Sequence, residues 1–351
     1  MSKSLLQTKE WAALREGFGW QTHNVEDIFV LEKKLPLGKS FLYAPEVTFN
    51  NIKSHPELSS EGSLGLSKMS HSRQILRDAQ NDNLQNFIEN TKEIAQKSNS
   101  VFLRLEILDQ NDTKIIEKLK ENGLIKAFEE IQPEFRQIIP IHGSIDEILA
   151  GMKQKGRYNI KIAQKNNIQV KTSDNILEFY QMFLETARRD GFSIRPKDYF
   201  ENMLEILGGQ GYAELLVANY ENKPVAAEII SYYNGVASYL YGASSNEYRN
   251  LMAPYLLHFE AIKRAKEKGC KIYDLLAVAP IGEADSSQTT DDSSPKSVDR
   301  SPSTVGHKYS GISRFKKQFG GETICLVGSY DLVFQPFWYK IFKIAEKMRR
   351  H

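Results

Sequence analysis

The order of helices and strands predicted between residues 145 and 278 constrains the fold of this chain most. The predicted order is helix, helix, three strands, helix and strand, over residues 145–166, 176–192, 213–220, 224–233, 236–244, 251–269 and 271–278. Asn234 and Gly235 form a hairpin signal between the second and third strands. Gly191 and Gly269 each stop a preceding helix, and the helical stretch 145–166 is expected to bend near Gly156. The three strands are therefore expected to form an antiparallel meander.

This order is typical of an acyltransferase lobe of the N-acetyltransferase (GNAT) type. The N-terminal part has weaker strand patterns, over 27–35, 40–46 and 101–108, followed by a helical pattern over 112–124. We therefore predict an α+β protein with two GNAT-like lobes, each a mixed, mostly antiparallel sheet flanked by helices. The first lobe is expected to take residues 1–140 plus 326–351, and the second lobe 141–325.

Two segments interrupt these patterns, at about 54–84 and about 283–305. Both are rich in serine and charged residues, and the second also carries threonine and proline. Such compositions bury too little apolar surface to order a chain, so both are predicted to be disordered surface insertions. For the stretch SRQILRDAQ of the first insertion, the alternative is a helical turn or two. The second segment is alternatively a regulatory or partner-binding loop.

Composition excludes several classes of protein. The chain has 351 residues, a net charge of +2 and two cysteines, Cys270 and Cys325. Two distant cysteines exclude a disulfide framework and a cysteine-rich zinc site, and they fit a reducing cytoplasm. Neither a signal peptide nor an 18-residue apolar run is apparent. The histidines are scattered singles, His258 among them, so neither metal nor cofactor is predicted.

The junction between the third meander strand and the next helix tests the choice of acyl donor. A GNAT enzyme that uses coenzyme A carries a glycine-rich loop here, which aims backbone N–H groups at the pyrophosphate. The stretch 241–254 has no glycine after Gly242, and Pro254 lies near the helix start. The pattern therefore favours a different acyl donor.

The stretch GISRFKKQFGG, residues 311–321, predicts a short helix. Phe315 and Phe319 lie four residues apart on one face, and two glycines end the helix. Lys316 stands beside the buried Phe315. A desolvated lysine has a strong electric field, which suits charge stabilisation. The alternative is a lysine whose ammonium reaches back to water.

Several stretches, in order along the chain, resemble the FemABX family of peptidoglycan interpeptide-bridge transferases. They are LLQTKEWAALREGFGW, ETARRDGFSIRPKDYFENM, YLYGASSNEYRNLMAPYLLHFEAIKRAKEKGCKIYDLLAV and GISRFKKQFGG. The resemblance covers the chain apart from the two insertions. It implies two GNAT-like lobes. The run 176–211 leaves no room for the coiled-coil arm of some members, which implies the compact form.

The resemblance also implies a function. Family members move an amino acid from aminoacyl-tRNA to the stem-peptide amine of UDP-MurNAc-pentapeptide or of a lipid-linked peptidoglycan precursor, which builds the interpeptide bridge. A cytoplasmic enzyme of cell-wall biogenesis and cell shape is expected, peripheral at the membrane if the acceptor is lipid-linked. Two alternatives stay open: a GNAT-fold N-acyltransferase with another acyl donor, and a non-catalytic binding module.

Site residues follow from the resemblance. Lys316, next to Phe315, matches the lysine thought to stabilise the ester carbonyl of the donor. The residues that match substrate-binding positions are Arg15, Arg195, Tyr199 and Tyr241. If a helix begins at Arg195, Arg195 and Tyr199 share one of its faces. The alternatives are a surface arginine and packing tyrosines.

Glu106 lies in the predicted strand VFLRLEIL, where family members carry an aspartate near the acceptor amine. It is a candidate to accept the amine proton or to orient the amine. The alternative is a salt bridge to Arg104 on the same face of the strand. The family aromatic five residues earlier is replaced here by Val101.

Two further patterns concern partners. Lys153, Arg157 and Lys161 recur every four residues and predict a basic helical face for the tRNA acceptor arm, or else a solvated helix surface. The C-terminal stretch 333–350 predicts a helix with the apolar residues Phe334, Trp338, Phe342 and Ala345 on one face. That face is expected to pack on the first lobe, and the alternative is transient contact with the inner face of the membrane.

Overall fold

The structure is a computed structural model that describes residues 4–49, 69–280 and 309–349. The predicted insertion 283–305 lies outside the described residues, as do residues 54–68 of the first insertion. For the rest of that insertion the prediction of disorder is wrong, because a helix runs from Met69 to Lys97. Its buried residues Leu84, Phe87, Ile88 and Ala95 recur at helical spacing, which anchors its second half on a sheet.

The contacts divide the chain into two compact units. Unit 1 comprises Met1–Glu134 with Leu326–His351, and unit 2 comprises Phe135–Cys325. Each unit has a hydrophobic core of its own.

Unit 1 is a mixed sheet with helices. Its elements are α1 Lys9–Glu16, β1 Trp20–Val25, β2 Ile28–Leu35, β3 Lys39–Val47, α2 Met69–Lys97, β4 Ser100–Gln110, α3 Thr113–Glu121, β5 Ile125–Lys126, the second part of β12 Glu322–Val333, and α10 Pro336–Arg349. Strands β1, β2 and β3 form an antiparallel meander, and β4 then joins β3 in parallel. Strand β12 pairs antiparallel with β4 and with the short β5.

Unit 2 repeats this plan with more strands. Its elements are β6 Phe135–Pro140, α4 Ile145–Gly151, α5 Gln154–Lys165, β7 Gln169–Ser173, α6 Ile176–Asp190, α7 Lys197–Met203, β8 Ala213–Tyr220, β9 Lys223–Tyr233, β10 Val236–Ser244, α8 Ala253–Glu267, β11 Ile272–Ala277, α9 Ser310–Lys316 and the first part of β12. Strands β7 to β10 are antiparallel in sequence order. Strand β11 lies parallel to β10, and β6 pairs antiparallel with β11 and with β12.

The two parallel strands of unit 2 separate along their length. Strands β10 and β11 pair only from Val236–Ile272 to Ser238–Asp274, although β10 continues to Ser244. Strand β11 is irregular between Asp274 and Ala277, where its pairing with β6 shifts. The strands therefore form a wedge that opens beyond Ser238 and Asp274.

The predicted α+β class is confirmed, since each unit has a mixed, mostly antiparallel sheet flanked by helices. Short loops and one turn of π-helix, Leu204–Gly208, separate α6, α7 and β8, which leaves no coiled-coil arm between them. No described helix is both long and apolar enough to cross a membrane.

The helical stretch expected over 145–166, with a bend near Gly156, is corrected. It is two helices, α4 and α5, and the chain turns between them at Met152 and Lys153, both in extended conformation. Gly156 lies inside α5 and serves another purpose. A Cβ there would lie 2.5 Å from the carbonyl oxygen of Gln318, so only glycine allows this close approach.

Candidate active site

Lys316, the last residue of α9, points into the interior of unit 2. The residue is 4% exposed, and its Nζ donates a hydrogen bond of 2.8 Å to the backbone oxygen of Ala277 at the end of β11. The same ammonium lies 5.6 Å from the ring centroid of Tyr239, a residue of β10. Lys316 thus contacts both strands of the wedge. The alternative of an ammonium that reaches back to water is wrong.

Burial changes the acidity of this lysine. Desolvation lowers the pKa of Lys316 from 10.5 to about 8, and the negative charge of Asp274 opposes that shift. At neutral pH the side chain is therefore mostly protonated. Because burial disfavours the charged form, the pKa of Lys316 lies close to neutral pH, as is common for residues at functional sites.

Asp274 belongs to a buried polar cluster beneath the lysine. Its carboxylate accepts hydrogen bonds from the backbone N–H of Leu276 at 2.7 Å and from Arg136 at 3.2 Å. Leu276 has a left-handed backbone with φ of 56°, at the irregular part of β11. This local turn of β11 presents the Ala277 carbonyl to Lys316 while Asp274 supplies the nearby negative charge.

The helix that carries Lys316 is fixed on both sides. The Ser313 hydroxyl donates to the Tyr309 carbonyl at 2.6 Å and accepts from the N–H of Ala279 at 2.7 Å. Phe315 packs edge-on against Tyr255 of α8, with 4.9 Å between ring centroids. Phe315 and Lys316 therefore have separate tasks, since the aromatic ring docks the helix and the lysine enters the wedge.

A second buried cluster adjoins the lysine, and the sequence analysis missed it. Nδ1 of His258 lies 2.8 Å from the hydroxyl of Tyr273 and 3.0 Å from a carboxylate oxygen of Glu228. The contact with Glu228 is close in distance but does not have hydrogen-bond geometry, and neither oxygen of Glu228 has a hydrogen-bond partner among the described residues. The ring of Tyr239 lies 4.6 Å from His258, so it contacts both this cluster and Lys316.

The treatment of His258 as a scattered single residue is corrected by this arrangement. A signal for the cluster existed in the sequence. Glu228 is a lone carboxylate in the apolar run PVAAEIISYY, and a charge in a buried strand requires a partner or a task. The partner comes from α8, which is distant in sequence from β9.

The structure also brings Arg195, Tyr199 and Tyr241 together. The guanidinium carbon of Arg195 lies 4.6 Å from the ring centroid of the buried Tyr199, and the rings of Tyr199 and Tyr241 lie 6.5 Å apart, edge to face. Burial raises the pKa of Tyr241, and the charge of Arg195 opposes this shift. Helix α7 begins at Lys197, so Arg195 precedes it and the expected shared helical face is wrong.

This second group presents a cation at a surface. Tyr199 and Tyr241 pack in an aromatic cluster with Phe183 and Phe200, while Arg195 itself is exposed. The stacked ring limits the motion of the arginine side chain. A pre-oriented, exposed guanidinium is suited to a phosphate, which it binds through two parallel hydrogen bonds.

The predicted basic face begins next to the segment that carries Lys316. The backbone N–H of Lys153 donates to the carbonyl of Gln318 at 3.0 Å, and Lys153 and Lys161 are exposed. Arg157 differs, because its guanidinium donates to the carbonyls of Met152 and Ala150 near the end of α4. Two lysines thus face solvent, and the arginine between them helps to hold α4 and α5 together.

The remaining two predicted residues belong to unit 1. Arg15 on α1 is buried, and its guanidinium carbon lies 4.5 Å from the ring centroid of Trp20. Glu106 on β4 is buried too and accepts hydrogen bonds from the Tyr43 hydroxyl and the backbone N–H groups of Ile131 and Gln132. These bonds fix the orientation of the Glu106 carboxylate.

The alternative of a salt bridge between Glu106 and Arg104 is not what the structure contains. Arg104 binds Asp331 of β12 through two hydrogen bonds of 2.7 and 2.8 Å. The Tyr339 hydroxyl donates a third bond of 2.6 Å to Asp331. Asp331 is more than two hundred residues away from Arg104 in sequence. The strand pattern around Arg104 could therefore suggest only a nearby partner such as Glu106.

Among residues 4–49, 69–280 and 309–349, no group of histidine, cysteine and carboxylate residues could hold a metal ion. The buried polar groups at and beside the wedge are the cations of Lys316 and Arg136, the carboxylates of Asp274 and Glu228, the imidazole of His258 and the hydroxyl of Tyr273.

Comparison with known proteins identifies the family. A family model described as the FemAB family matches residues 1–223 and 210–347. The chain belongs to the FemAB family. The proposed resemblance to the FemABX transferases is thereby confirmed.

Named relatives agree with this assignment. The lipid II:glycine glycyltransferase of Staphylococcus epidermidis is 21% identical and aligns with 99% of this chain and 92% of its own length. That of Staphylococcus aureus is 24% identical over 75% of this chain and 76% of its own length. This FemAB protein is thus a transferase of the Fem type, related to enzymes that act on lipid II.

A solved structure described as the crystal structure of FemX matches with a TM-score of 0.71. The match covers 96% of this chain and 94% of that chain at 20% identity, and it shows the shared fold. The match agrees with the predicted α+β fold, in which mixed, mostly antiparallel sheets are flanked by helices.

Proposed function

We propose that this FemAB protein moves an amino acid from aminoacyl-tRNA to the stem-peptide amine of a peptidoglycan precursor. The reaction is the aminolysis of an ester. The amine nitrogen attacks the ester carbonyl, a tetrahedral oxyanion forms, and the bond to the ribose oxygen breaks. The amine loses a proton and the ribose oxygen gains one, so no enzyme-bound intermediate is required.

The buried Lys316 is the observation that carries the proposal. A cation in a desolvated wedge stabilises a developing oxyanion far better than one in water, because little solvent screens its field. Its hydrogen bond to Ala277 leaves two of the three ammonium protons for other acceptors. Lys316 is accordingly the catalytic residue of the proposal, and the ester carbonyl is placed next to its ammonium.

Other residues take supporting roles in the proposal. Arg195, Tyr199 and Tyr241 bind the phosphate region of the acceptor, and Arg15 contributes a further cation. The exposed Lys153 and Lys161 guide the tRNA acceptor arm, with Arg157 between them. Glu106 orients the acceptor amine or takes its proton, with its carboxylate already fixed by hydrogen bonds. The enzyme works in the cytoplasm on a nucleotide-linked or lipid-linked precursor.

The start of α8 argues against an acyl-coenzyme A donor. The N–H groups of Leu251, Met252 and Tyr255 bind carbonyls within the same loop, and Pro254 has no N–H to offer. A pyrophosphate at this helix start would need those N–H groups free. A donor whose acceptor arm is held by basic side chains fits this chain better.

The test compares Lys316→Met with Lys317→Met in the purified protein. The assay supplies a panel of charged tRNAs and a nucleotide-linked muramyl pentapeptide, then a lipid-linked one, and mass spectrometry reads the acceptor. Wild type is expected to add the mass of one amino-acid residue. Lys316→Met should slow transfer by about 10²- to 10³-fold, the usual effect of removing an oxyanion donor. The half-buried neighbour Lys317 serves as the matched control and should change little.

Stability separates a catalytic loss from a folding defect. Because the pKa of Lys316 is lowered in the folded state, its protonated form destabilises the fold at neutral pH. The methionine variant should therefore melt no lower than wild type. If wild type transfers nothing from any charged tRNA to either acceptor, the proposal is wrong. Equal rates for both variants would remove Lys316 from the mechanism.

A further inference from the structure

The C-terminal helix α10 exposes a continuous apolar stripe. Phe337, Ile341, Ile344 and Met348 follow one another at spacings of four, three and four residues, so they lie on one face. They are 68%, 40%, 61% and 73% exposed. A soluble helix normally turns such a face towards a core, so this stripe requires an occupant.

The stripe is not the face that holds α10 on unit 1. Trp338, Tyr339 and Phe342 make that contact, and they pack against Val101 and Phe102 of β4. The expected packing of Trp338 and Phe342 is therefore present, whereas Ala345, predicted on the same face, is exposed. Helix α10 thus has two apolar faces, of which one is covered by unit 1 and the other faces solvent.

One further exposed apolar residue, Leu37, lies in a turn next to the start of α10. Leu37, in the turn between β2 and β3, is 78% exposed and has a left-handed backbone with φ of 60°. Two residues later, Lys39 donates to Gln335 at 2.8 Å, and its ammonium lies 5.0 Å from the ring centroid of Trp338. The turn and the helix start are therefore neighbours.

The charges around the stripe indicate what covers it. Lys340 and Lys347 are exposed and lie within one helical turn of stripe residues, and Lys343 is exposed further round. The helix carries a single acidic residue, Glu346, which lies half-buried on the side away from the stripe. An apolar stripe bordered by lysines is complementary to the interface of an anionic bilayer, where side chains enter the acyl region and ammoniums meet phosphates.

We propose that the stripe of α10, together with Leu37, docks unit 1 on an anionic membrane surface. The helix lies in the plane of the interface and does not cross the bilayer. The proposed membrane binding is inferred from the exposed apolar stripe and its neighbouring lysines alone. The further link, that docking brings the enzyme to a lipid-linked acceptor, rests on the proposed function.

The test uses the full-length protein and two vesicle preparations. One is phosphatidylcholine alone, and the other contains about one-third phosphatidylglycerol, which gives the negative surface potential that attracts lysines. Wild type is expected to sediment with the anionic vesicles and to be released as salt is raised. Ile344→Ser should weaken this partitioning by about tenfold or more, through the lost transfer of an apolar side chain.

Two variants complete the design. Leu177→Ser removes an isomeric side chain from α6, where Leu177 is 53% exposed, and it should change partitioning by less than about twofold. The pair Lys340→Gln with Lys347→Gln should abolish the difference between anionic and neutral vesicles. All of these residues lie at the surface, so thermal melting should match wild type.

The outcomes are distinct. Wild type that stays in the supernatant, or equal behaviour of Ile344→Ser and Leu177→Ser, overturns the proposal. A wild-type dimer that Ile344→Ser converts to a monomer assigns the face to a second copy of the chain, which also overturns it. Transfer to the soluble nucleotide-linked acceptor should be unaffected by Ile344→Ser. A protein that sediments but transfers nothing would refute the proposed function and leave the docking surface standing.

Discussion

The buried charges of the two units are organised differently. In unit 1, Arg104 and Asp331 share two hydrogen bonds, and Tyr339 adds a third. In unit 2, Lys316 has one hydrogen bond, to a neutral carbonyl, and the carboxylate of Glu228 has none among the described residues. The first arrangement satisfies its charges within the fold, whereas the second leaves hydrogen-bonding capacity unused.

This difference separates structural charges from chemical ones. A buried ion pair with full hydrogen bonding has no capacity left for a substrate, and its removal harms the fold. A buried lysine held by one carbonyl keeps protons for a ligand and has a lowered pKa, which costs stability. The comparison therefore predicts that changes to the pair Arg104 and Asp331 mainly alter stability, whereas changes to Lys316 at the wedge of unit 2 mainly alter rate.

The largest effect is expected for Asp331→Ala. This change leaves the buried guanidinium of Arg104 without its carboxylate and the Tyr339 hydroxyl without its acceptor. Loss of one partner from a buried pair typically costs about 3–5 kcal/mol of unfolding free energy. Urea unfolding followed by circular dichroism measures the change. Glu89→Ala, which breaks the exposed pair with Lys92, is the control and should cost about 0–1 kcal/mol.

If Asp331→Ala were as stable as the control while transfer collapsed, the carboxylate would be part of the chemistry. The division between structural and chemical charges would then fail.

Local patterns predicted the fold well where periodicity was strong. The meander strands β8, β9 and β10 and the helix α6 agree with prediction to within two residues, because alternation, turn residues and glycine stops coincide there. Strands β1, β5, β6, β7 and β12 were missed. The first four are short, with two to six residues each, whereas the twelve-residue β12 was missed despite its length. Low-complexity composition also misled, because polar residues of α2 outnumber the few apolar ones that anchor it.

The candidate site was predicted only in part. Lys316 stood out because a lysine beside two helically spaced phenylalanines conflicts with burial. The partners of a charge are another matter. The buried charges were not paired correctly from the sequence, because each pair joins different elements of the fold. The examples are Arg104 with Asp331 and Glu228 with His258. Sequence periodicity shows which residues are buried, but the tertiary fold determines which buried residues meet.

The pH dependence of transfer is the next test. The acceptor amine must be neutral, so with an ordinary amine pKa of about 10.4 the rate should rise tenfold per pH unit below that value. Lys316 must be protonated, and its pKa is about 8. Above pH 8 the fraction of enzyme with protonated Lys316 falls tenfold per pH unit. The fraction of neutral acceptor amine rises tenfold per pH unit over the same range, so the two changes cancel. The single-turnover rate should therefore rise to about pH 8 and then level off.

Lys316→Arg is the matched variant for this profile. A guanidinium stays charged over the whole range, so any activity that the variant retains should keep rising above pH 8. Rates are corrected for spontaneous ester hydrolysis in samples without enzyme. A wild-type profile that rises smoothly through pH 9, parallel to that of the arginine variant, would contradict a lysine with a lowered pKa at the reacting carbonyl.

The smallest effect concerns Glu228→Gln. The glutamine keeps the shape of the side chain and can donate to Nδ1 of His258, while it removes a buried carboxylate that lacks hydrogen bonds. The unfolding free energy should stay equal or rise by about 1 kcal/mol. Glu214→Gln on the neighbouring strand β8 is the control. Glu214 accepts a hydrogen bond from Tyr232 and lies 3.6 Å from the guanidinium of Arg264, so the loss of its charge should cost about 0.5–1.5 kcal/mol. If Glu228→Gln were instead the more damaging of the two, Glu228 and His258 would form a charged pair as firm as that of Arg104 and Asp331. Lys316 would then be the one buried charge of this comparison that keeps unused hydrogen-bonding capacity.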